Sequence, residues 1–117
     1  MIQFQTWENG LHILITDEEK HGSVQVAFPT KLRDKEDICG ADCILYALWV
    51  DENWRGKDTG NYLLKTAEYN SKLKGAKTIA VTYHPSDTPK WVLDWYMNNK
   101  YIIVYKDEDY TVLIKIL

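Results

Sequence analysis

The sequence has no long hydrophobic run. Its longest apolar stretch, residues 44–50, is much shorter than the ~20 residues that an α-helix needs to cross a bilayer. The first ten residues, MIQFQTWENG, contain no basic segment followed by an apolar one, so no signal peptide is predicted. From these absences we expect a cytoplasmic protein that has no membrane partner.

Cysteine and histidine are scarce, with two and three residues respectively. Cys39 and Cys43 are spaced C-x3-C, and no second Cys or His pair follows them. The spacing is therefore not that of a zinc site, and no metal is predicted. The net charge of -3 also gives no electrostatic reason to expect a nucleic-acid partner.

The sequence does have the composition of an ordinary globular protein. It contains 117 residues, of which 45% are hydrophobic and 26% are charged. A chain of this length can bury one core without disulfides or metals. We therefore expect one domain over residues 1–117.

The first half of the chain is typical of β-strands. Two short β-like runs over residues 2–4 and 11–15 flank Asn9-Gly10, a dipeptide that favours a hairpin turn. Residues 24–28 alternate between apolar and polar or small side chains, as in a half-buried strand. Residues 29–42 form a polar connection with seven charged residues, a candidate for mobility or for lining a site. Residues 44–50 have no polar face and predict a central strand covered on both sides.

The second half alternates between helices and strands. The pattern predicts a helix over residues 59–74, with Asp58 or Thr59 as its cap, a strand over 78–83, and a second helix that begins at Thr88-Pro89. Two final strands, 101–105 and 110–117, follow. The apolar face predicted for the first helix consists of these residues: Tyr62, Leu63, Leu64, Thr66, Ala67, Tyr69 and Leu73.

This order predicts an α/β (α+β) fold with a mixed, mostly antiparallel sheet and two main helices. Strands 44–50 and 78–83 form a central parallel pair, because a right-handed helical crossover joins them. Trp91 and Trp95 are expected in the core of the second helix because of their i,i+4 spacing.

The hexapeptide Arg-Gly-Lys-Asp-Thr-Gly, residues 55–60, connects the apolar strand to the first helix. A glycine-containing loop that leads into a helix N-terminus can bind a phosphate through backbone N–H groups. Gly56 and Gly60 remove side chains, while Arg55 and Lys57 add positive charge. The motif matches neither the P-loop nor the dinucleotide fingerprint, so from the loop alone both an anion site and a simple turn remain open.

The stretch from residue 40 to residue 117 resembles the GNAT superfamily of N-acetyltransferases. In that family the loop reads [QR]-x-x-G-x-[GA], and here Arg55 stands at its first position and Gly60 at its last. The segment WYMNNKY, residues 95–101, is similar to the family's F-Y-x-x-x-G-F segment, with Lys100 in place of the glycine. The order of strands and helices agrees as well.

The resemblance implies an acyl-CoA N-acyltransferase-like fold that takes acetyl-CoA as co-substrate and an amine as acceptor. Tyr96 matches the tyrosine that often protonates the departing thiolate. A backbone N–H on the strand would polarise the thioester carbonyl, and the amine would attack directly. The implied acetyl-CoA-binding residues are Trp49 and Val50 on the strand and the following loop and helix residues: Arg55, Gly56, Lys57, Asp58, Thr59, Gly60 and Asn61.

Several features depart from the family pattern. Asp58 replaces a glycine of the loop, a β-hairpin stands where two acceptor-binding helices are usual, and residues 44–50 contain no glutamate to act as base. These departures leave open a catalytically weakened GNAT-fold module that serves binding or interaction. His84 is an alternative base, and the acidic turn 106–109 is an indication of a cationic acceptor. The N-terminal hairpin or an edge strand at 110–117 would allow a homodimer.

Overall fold

The structure is a computed structural model that describes residues 1–56 and 58–117. It contains one seven-stranded sheet in the order β1-β2-β3-β4-β5-β7-β6. The strands are β1 Ile2–Trp7, β2 Gly10–Thr16, β3 Gly22–Pro29, β4 Cys43–Val50, β5 Thr78–Tyr83, β6 Ile102–Lys106 and β7 Thr111–Ile116. The helices are α1 Leu32–Asp37, α2 Thr59–Leu73 and α3 Lys90–Asn98, and a 3₁₀ turn spans Glu52–Trp54.

The pairing confirms the predicted mixed sheet. β4 and β5 are parallel, and every other neighbouring pair is antiparallel. The first hairpin pairs Trp7 with Gly10, so its two-residue loop is Glu8 and Asn9 and not the predicted Asn9-Gly10. Gly10 has φ of 122°, and a Cβ there would lie 2.0 Å from the Phe28 carbonyl oxygen. Only glycine fits this position, because both the backbone angle and the close approach exclude a side chain.

Helix α2 covers one face of the sheet. Its buried residues are Leu63, Leu64, Ala67, Glu68 and Ser71, and they pack on strand residues that include Ile13, Val26 and Leu45. The predicted apolar face is therefore wrong in part, because Tyr62, Tyr69 and Leu73 are exposed. The buried face of α2 instead includes Glu68. Its carboxylate accepts hydrogen bonds from the Tyr101 hydroxyl and the Lys115 Nζ. In the described residues, no helix is long and apolar enough to cross a membrane.

The opposite face carries a smaller cluster above β5 and β7. Ile38 and Ala41 are buried there against Ala80 and Val112. Ile38 and Ala41 follow helix α1, which lies inside the polar connection over residues 29–42. The sequence did not indicate this helix, because its six residues, LRDKED, have no apolar stripe.

Three predictions are wrong, on the coverage of β4, on the edge of the sheet and on the burial of Trp91. Trp49 in β4 is 50% exposed, so this strand is not covered on both sides along its whole length, because β4 leaves β5 after its first residues. β7 lies between β5 and β6, so residues 110–117 are not at an edge, and the edges are β1 and β6. Trp91 is exposed, whereas Trp95 packs against the core.

Candidate functional site

The candidate site is an opening between the two parallel strands. In the described part of the chain, pairing between β4 and β5 is limited to Cys43 with Ile79 and Ile44 with Ala80. We call the space beyond these pairs the β4–β5 wedge. Gln25 pairs with Tyr46 and Ser23 with Trp49, so one residue of β3 between these pairs lies opposite two residues of β4. Such a β-bulge bends the strand that carries it, and here it contains Ala47 at φ of 52°.

The loop after β4 turns back on the strand end. Arg55 donates from Nε to the Val50 carbonyl oxygen at 3.3 Å, which holds the start of the loop against β4. The Asp51 carboxylate accepts from the Asn53 N–H at 2.9 Å and orders the 3₁₀ turn. Gly56 has φ of 80°, and a Cβ there would meet nothing within 4 Å. A ligand can therefore approach this part of the backbone closely.

The N-terminus of α2 presents free donors to the mouth of the wedge. The first backbone bond at this end runs from the Tyr62 N–H to the Asp58 carbonyl oxygen at 2.9 Å. The N–H groups of Thr59, Gly60 and Asn61 form no hydrogen bond with a described acceptor. They carry the positive end of the helix dipole, which suits an anion. The predicted contact of Lys57 lies outside the described residues.

Asp58 occupies the N-cap position but does not act as the predicted cap. Its φ of 63° and ψ of 4° are left-handed, and its side chain makes no capping hydrogen bond. In the usual cap the residue is extended and its side chain accepts from an N–H of the first turn. The exposed carboxylate of Asp58 is therefore free of the helix, although it lies beside the free N–H groups.

Trp95 connects α3 to the start of α2. Its indole Nε1 donates to the Asn61 Oδ1 at 3.1 Å. A Cβ on Gly60 would lie 3.7 Å from the Trp95 ring and 3.9 Å from Val50. Gly60 is therefore packed between β4 and α3 while its N–H is free. No local pattern in the sequence indicates the Asn61–Trp95 bond, which joins residues that are 34 positions apart.

Tyr96 lies beside Trp95 and is only 7% exposed. Its ring centroid is 5.1 Å from that of Trp95 and 5.5 Å from that of Tyr101. Burial raises the pKa of Tyr96 to about 12, so the phenol keeps its proton at neutral pH. The hydroxyl makes no hydrogen bond to a described residue. Tyr96 is thus a core residue whose hydroxyl is protonated and uncommitted, which is what a proton donor requires.

The other candidate groups lie at the end of β5. His84 is exposed, and its ring centroid is 6.0 Å from that of Tyr110. In the acidic turn, Asp107 accepts from the N–H groups of Asp109 and Tyr110 and from the Tyr105 hydroxyl, each at 2.8 to 2.9 Å. These bonds lower the pKa of Asp107. Asp107 therefore holds the turn together, and the carboxylates of Glu108 and Asp109 form no ion pair with a described residue.

A polar pair that sequence reasoning missed lies on the face opposite α2. His12 is buried in β2, and its Nδ1 is 3.3 Å from the Tyr46 hydroxyl in β4. No local pattern could have revealed this contact, because it depends on the register of three adjacent strands.

The strand order, with one parallel pair that opens into a wedge, is that of the GNAT acyl-CoA N-acyltransferase fold, as the resemblance implied. Solved structures establish this fold for the chain. An acetyltransferase from Bacillus cereus matches with a TM-score of 0.66 and 19% identity, over 99% of this chain and 74% of that one. The PaiA N-acetyltransferase from Thermoplasma acidophilum, in complex with coenzyme A, matches with a TM-score of 0.67 and 19% identity, over 99% of this chain and 61% of that one.

A GNAT-family acetyltransferase from Listeria monocytogenes gives a TM-score of 0.69 with 13% identity, over 91% of this chain and 64% of that one. This chain thus spans less than two thirds of the length of the Thermoplasma and Listeria proteins. No protein-family model matches the sequence, and no curated protein matches it. At these sequence identities, 13% to 19%, the matches show a shared fold alone.

Proposed function

We propose that this chain binds acetyl-CoA in the β4–β5 wedge and transfers the acetyl group to an amine by direct attack. The observation that carries the proposal is the position of the α2 N-terminus. The N–H groups of Thr59, Gly60 and Asn61 bond to no described acceptor and lie beside the end of β4 at Val50, and Trp95, the neighbour of Tyr96 in α3, bonds to Asn61.

The roles of the residues follow from their chemistry. The N–H groups at the start of α2 hold the pyrophosphate, and Arg55 adds positive charge, as does Lys57. The strand edge at Trp49 and Val50 has no β5 partner in the described structure. The backbone groups there, apart from the Val50 carbonyl that accepts from Arg55 Nε, are therefore available to pair with the pantetheine arm. Tyr96 gives its proton to the thiolate as the carbon–sulfur bond breaks.

Titration calorimetry with acetyl-CoA tests the binding step. We expect saturable binding to a single site. S-acetylpantetheine lacks the pyrophosphate together with the phosphorylated adenosine, and we expect it to bind at least about tenfold more weakly because it cannot use the helix N-terminus. Absence of heat and of thermal stabilisation at millimolar acetyl-CoA would disprove the proposal. Equal affinity for the two ligands would show that the N-terminus of α2 does not bind the pyrophosphate.

Asp58 is the basis of a second candidate function, a weakened module that binds without turnover. Its exposed, uncapped carboxylate lies where a pyrophosphate oxygen would come close. A like charge at this point reduces affinity for an anion by Coulomb repulsion. Release of free CoA thiol from acetyl-CoA in the presence of a panel of primary amines would argue against this candidate.

We expect the substitution Asp58→Gly to strengthen acetyl-CoA binding about fivefold, because it removes the carboxylate from the anion site. Asp58→Asn is the matched control for the backbone, since asparagine also tolerates a left-handed φ. Both variants should gain equally if charge is the cause, and the gain should shrink as salt is added. Unchanged affinity in both would show that the carboxylate is clear of the bound anion.

A further inference from the structure

A groove of about 500 Å³ lies between the edge strand β1 and helix α2. Phe4 of β1 faces the same side, because the Lys74 Nζ, directly after α2, lies 4.5 Å from the centroid of its ring. In the sheet, Ile2 and Phe4 stand opposite Ile15 and Ile13, which belong to the core under α2. The residues that line the groove are Ile2, Lys65, Thr66, Tyr69, Asn70 and Leu73.

The uncovered part of the sheet beside α2 has the width of one helix. Helix α2 packs across β2, β3 and β4, with β3 in the middle. Because neighbouring strands are about 4.8 Å apart, β1 lies about 10 Å to one side of β3. Packed helices have axes about 8–10 Å apart. A helix laid over β1 can therefore contact the sheet below it and α2 beside it.

The side of α2 that borders the groove carries an exposed apolar stripe. Tyr62, Thr66, Tyr69 and Leu73 are separated by four, three and four residues, which is the repeat of a coiled-coil seam. Tyr62, Tyr69 and Leu73 are each more than half exposed. Since Ile2 is exposed as well, apolar surface continues from α2 across the groove to β1.

Basic side chains surround this apolar surface. Lys65 and Lys72 of α2 and Lys74 directly after it are exposed. In the sequence of β1, β2 and α2 the only carboxylate is that of Glu68, and Lys65 and Lys115 share it. Four lysines thus stand around one carboxylate, and the groove is positively charged in a chain whose net charge is -3.

We propose that this groove binds an amphipathic α-helix of a partner protein. The apolar side of that helix packs on the exposed apolar residues of β1 and α2, and carboxylates at its edges lie beside Lys65 and Lys74. A second copy of this chain is a poorer occupant, because a two-fold contact places the same lysines opposite one another. The proposal does not depend on acetyl transfer, for which the N-terminus of α2 is proposed to bind the pyrophosphate.

Two synthetic peptides test the groove on the full chain. Each is about 18 residues long, which is enough to form a helix, and has leucine at the two seam positions of each heptad. The positions that flank the seam carry glutamate in one peptide and lysine in the other. In fluorescence anisotropy we expect the acidic peptide to bind with a Kd below about 100 µM, and the basic peptide at least about tenfold more weakly. Added salt should reduce the difference.

Two variants assign the binding to the groove. Leu73→Gln removes an apolar contact and should weaken binding of the acidic peptide about tenfold. Lys65→Met keeps the length of the side chain without its charge, and should reduce the preference for the acidic peptide about threefold. Trp91→Gln is the control and should change neither affinity, because Trp91 is a similarly exposed residue of α3 that does not line the groove.

The outcomes distinguish the possible occupants. Absence of binding by the acidic peptide at millimolar concentration, or equal binding of the two peptides, would overturn the proposal. Carbon chemical shifts of the labelled, bound peptide should be helical, and an extended peptide would mean that β1 accepts a strand instead. Light scattering should show a monomer, whereas a dimer that Leu73→Gln dissociates would make the groove an interface between copies. Acetyl-CoA does not enter these measurements, so failure of the proposed acetyl transfer would leave their result unchanged.

Discussion

The substitution Tyr96→Phe is expected to lower kcat for acetyl transfer by about 10³-fold, which is within the range that a positioned general acid supplies. The thiolate would then have to leave without a proton donor. Because the donor acts only as the carbon–sulfur bond breaks, kcat and kcat/KM should fall together while the Kd for acetyl-CoA stays the same. Release of CoA thiol in steady state measures the first quantity, and calorimetry measures the last.

The matched control is Tyr83→Phe. Tyr83 and Tyr96 are each 7% exposed and belong to the same core cluster, so both changes remove the hydroxyl of a buried tyrosine. The Tyr96 hydroxyl has no hydrogen bond to a described residue, and its loss should therefore change the unfolding free energy by only about 0.5 kcal/mol. If both variants keep full activity, Tyr96 is a core residue without a role in proton transfer.

The pKa of Tyr96 also predicts a pH profile. Burial raises it to about 12, and the acid role requires the protonated phenol. The protonated fraction is therefore nearly complete from neutral pH to about pH 11, and Tyr96 should cause no fall in kcat over that range. A descending limb near pH 10 that disappears in Tyr96→Phe would show that the hydroxyl titrates like an exposed tyrosine.

The sequence predicted the order of the elements because the signals for them are local. The Asn9-Gly10 hairpin and the glycine-punctuated start of α2 each lie within a few neighbouring residues. The helical crossover predicted the parallel pair, and the resemblance implied an acyl-CoA N-acyltransferase-like fold. Periodicity failed on α2 because it counts Tyr62 and Leu73 as apolar and Glu68 as polar, whereas burial depends on the partners that each side chain finds in the fold.

The candidate site could be predicted only where its chemistry is contiguous in the chain. The loop at residues 55–60 could be found because strand, glycines and helix follow one another. The left-handed backbone of Asp58 could not, since aspartate is more often an extended N-cap. The His12–Tyr46 and Asn61–Trp95 contacts each join residues 34 positions apart. Such contacts follow from strand register and helix packing, which one sequence does not specify.

Glu68 should be the most sensitive position for stability outside the candidate site. Its side chain is 9% exposed, and its carboxylate accepts from the Tyr101 hydroxyl at 2.8 Å. The Lys115 Nζ lies 3.0 and 3.1 Å from its two oxygens. These bonds join α2, β7 and the residue before β6, so that one buried carboxylate stabilises three parts of the fold.

We expect Glu68→Leu to lower the unfolding free energy by about 3–5 kcal/mol, because it leaves the partly buried Lys115 ammonium and the hydroxyl of the buried Tyr101 without their acceptor. Urea unfolding followed by tryptophan fluorescence measures the change. Lys65→Met is the control. Lys65 is 58% exposed and lies 3.6 Å from the same carboxylate, so its loss should cost less than about 1 kcal/mol.

The double variant Glu68→Leu/Lys115→Met decides how the network stabilises the fold. Replacing both charges with apolar groups of similar volume removes the unpaired ammonium, and buried ion pairs exchanged in this way often lose little stability. We therefore expect the double variant to be more stable than Glu68→Leu alone, with a coupling of at least about 2 kcal/mol in the cycle. Additive losses would mean that the two side chains contribute separately. The loss caused by Glu68→Leu would then arise from packing and from the Tyr101 bond.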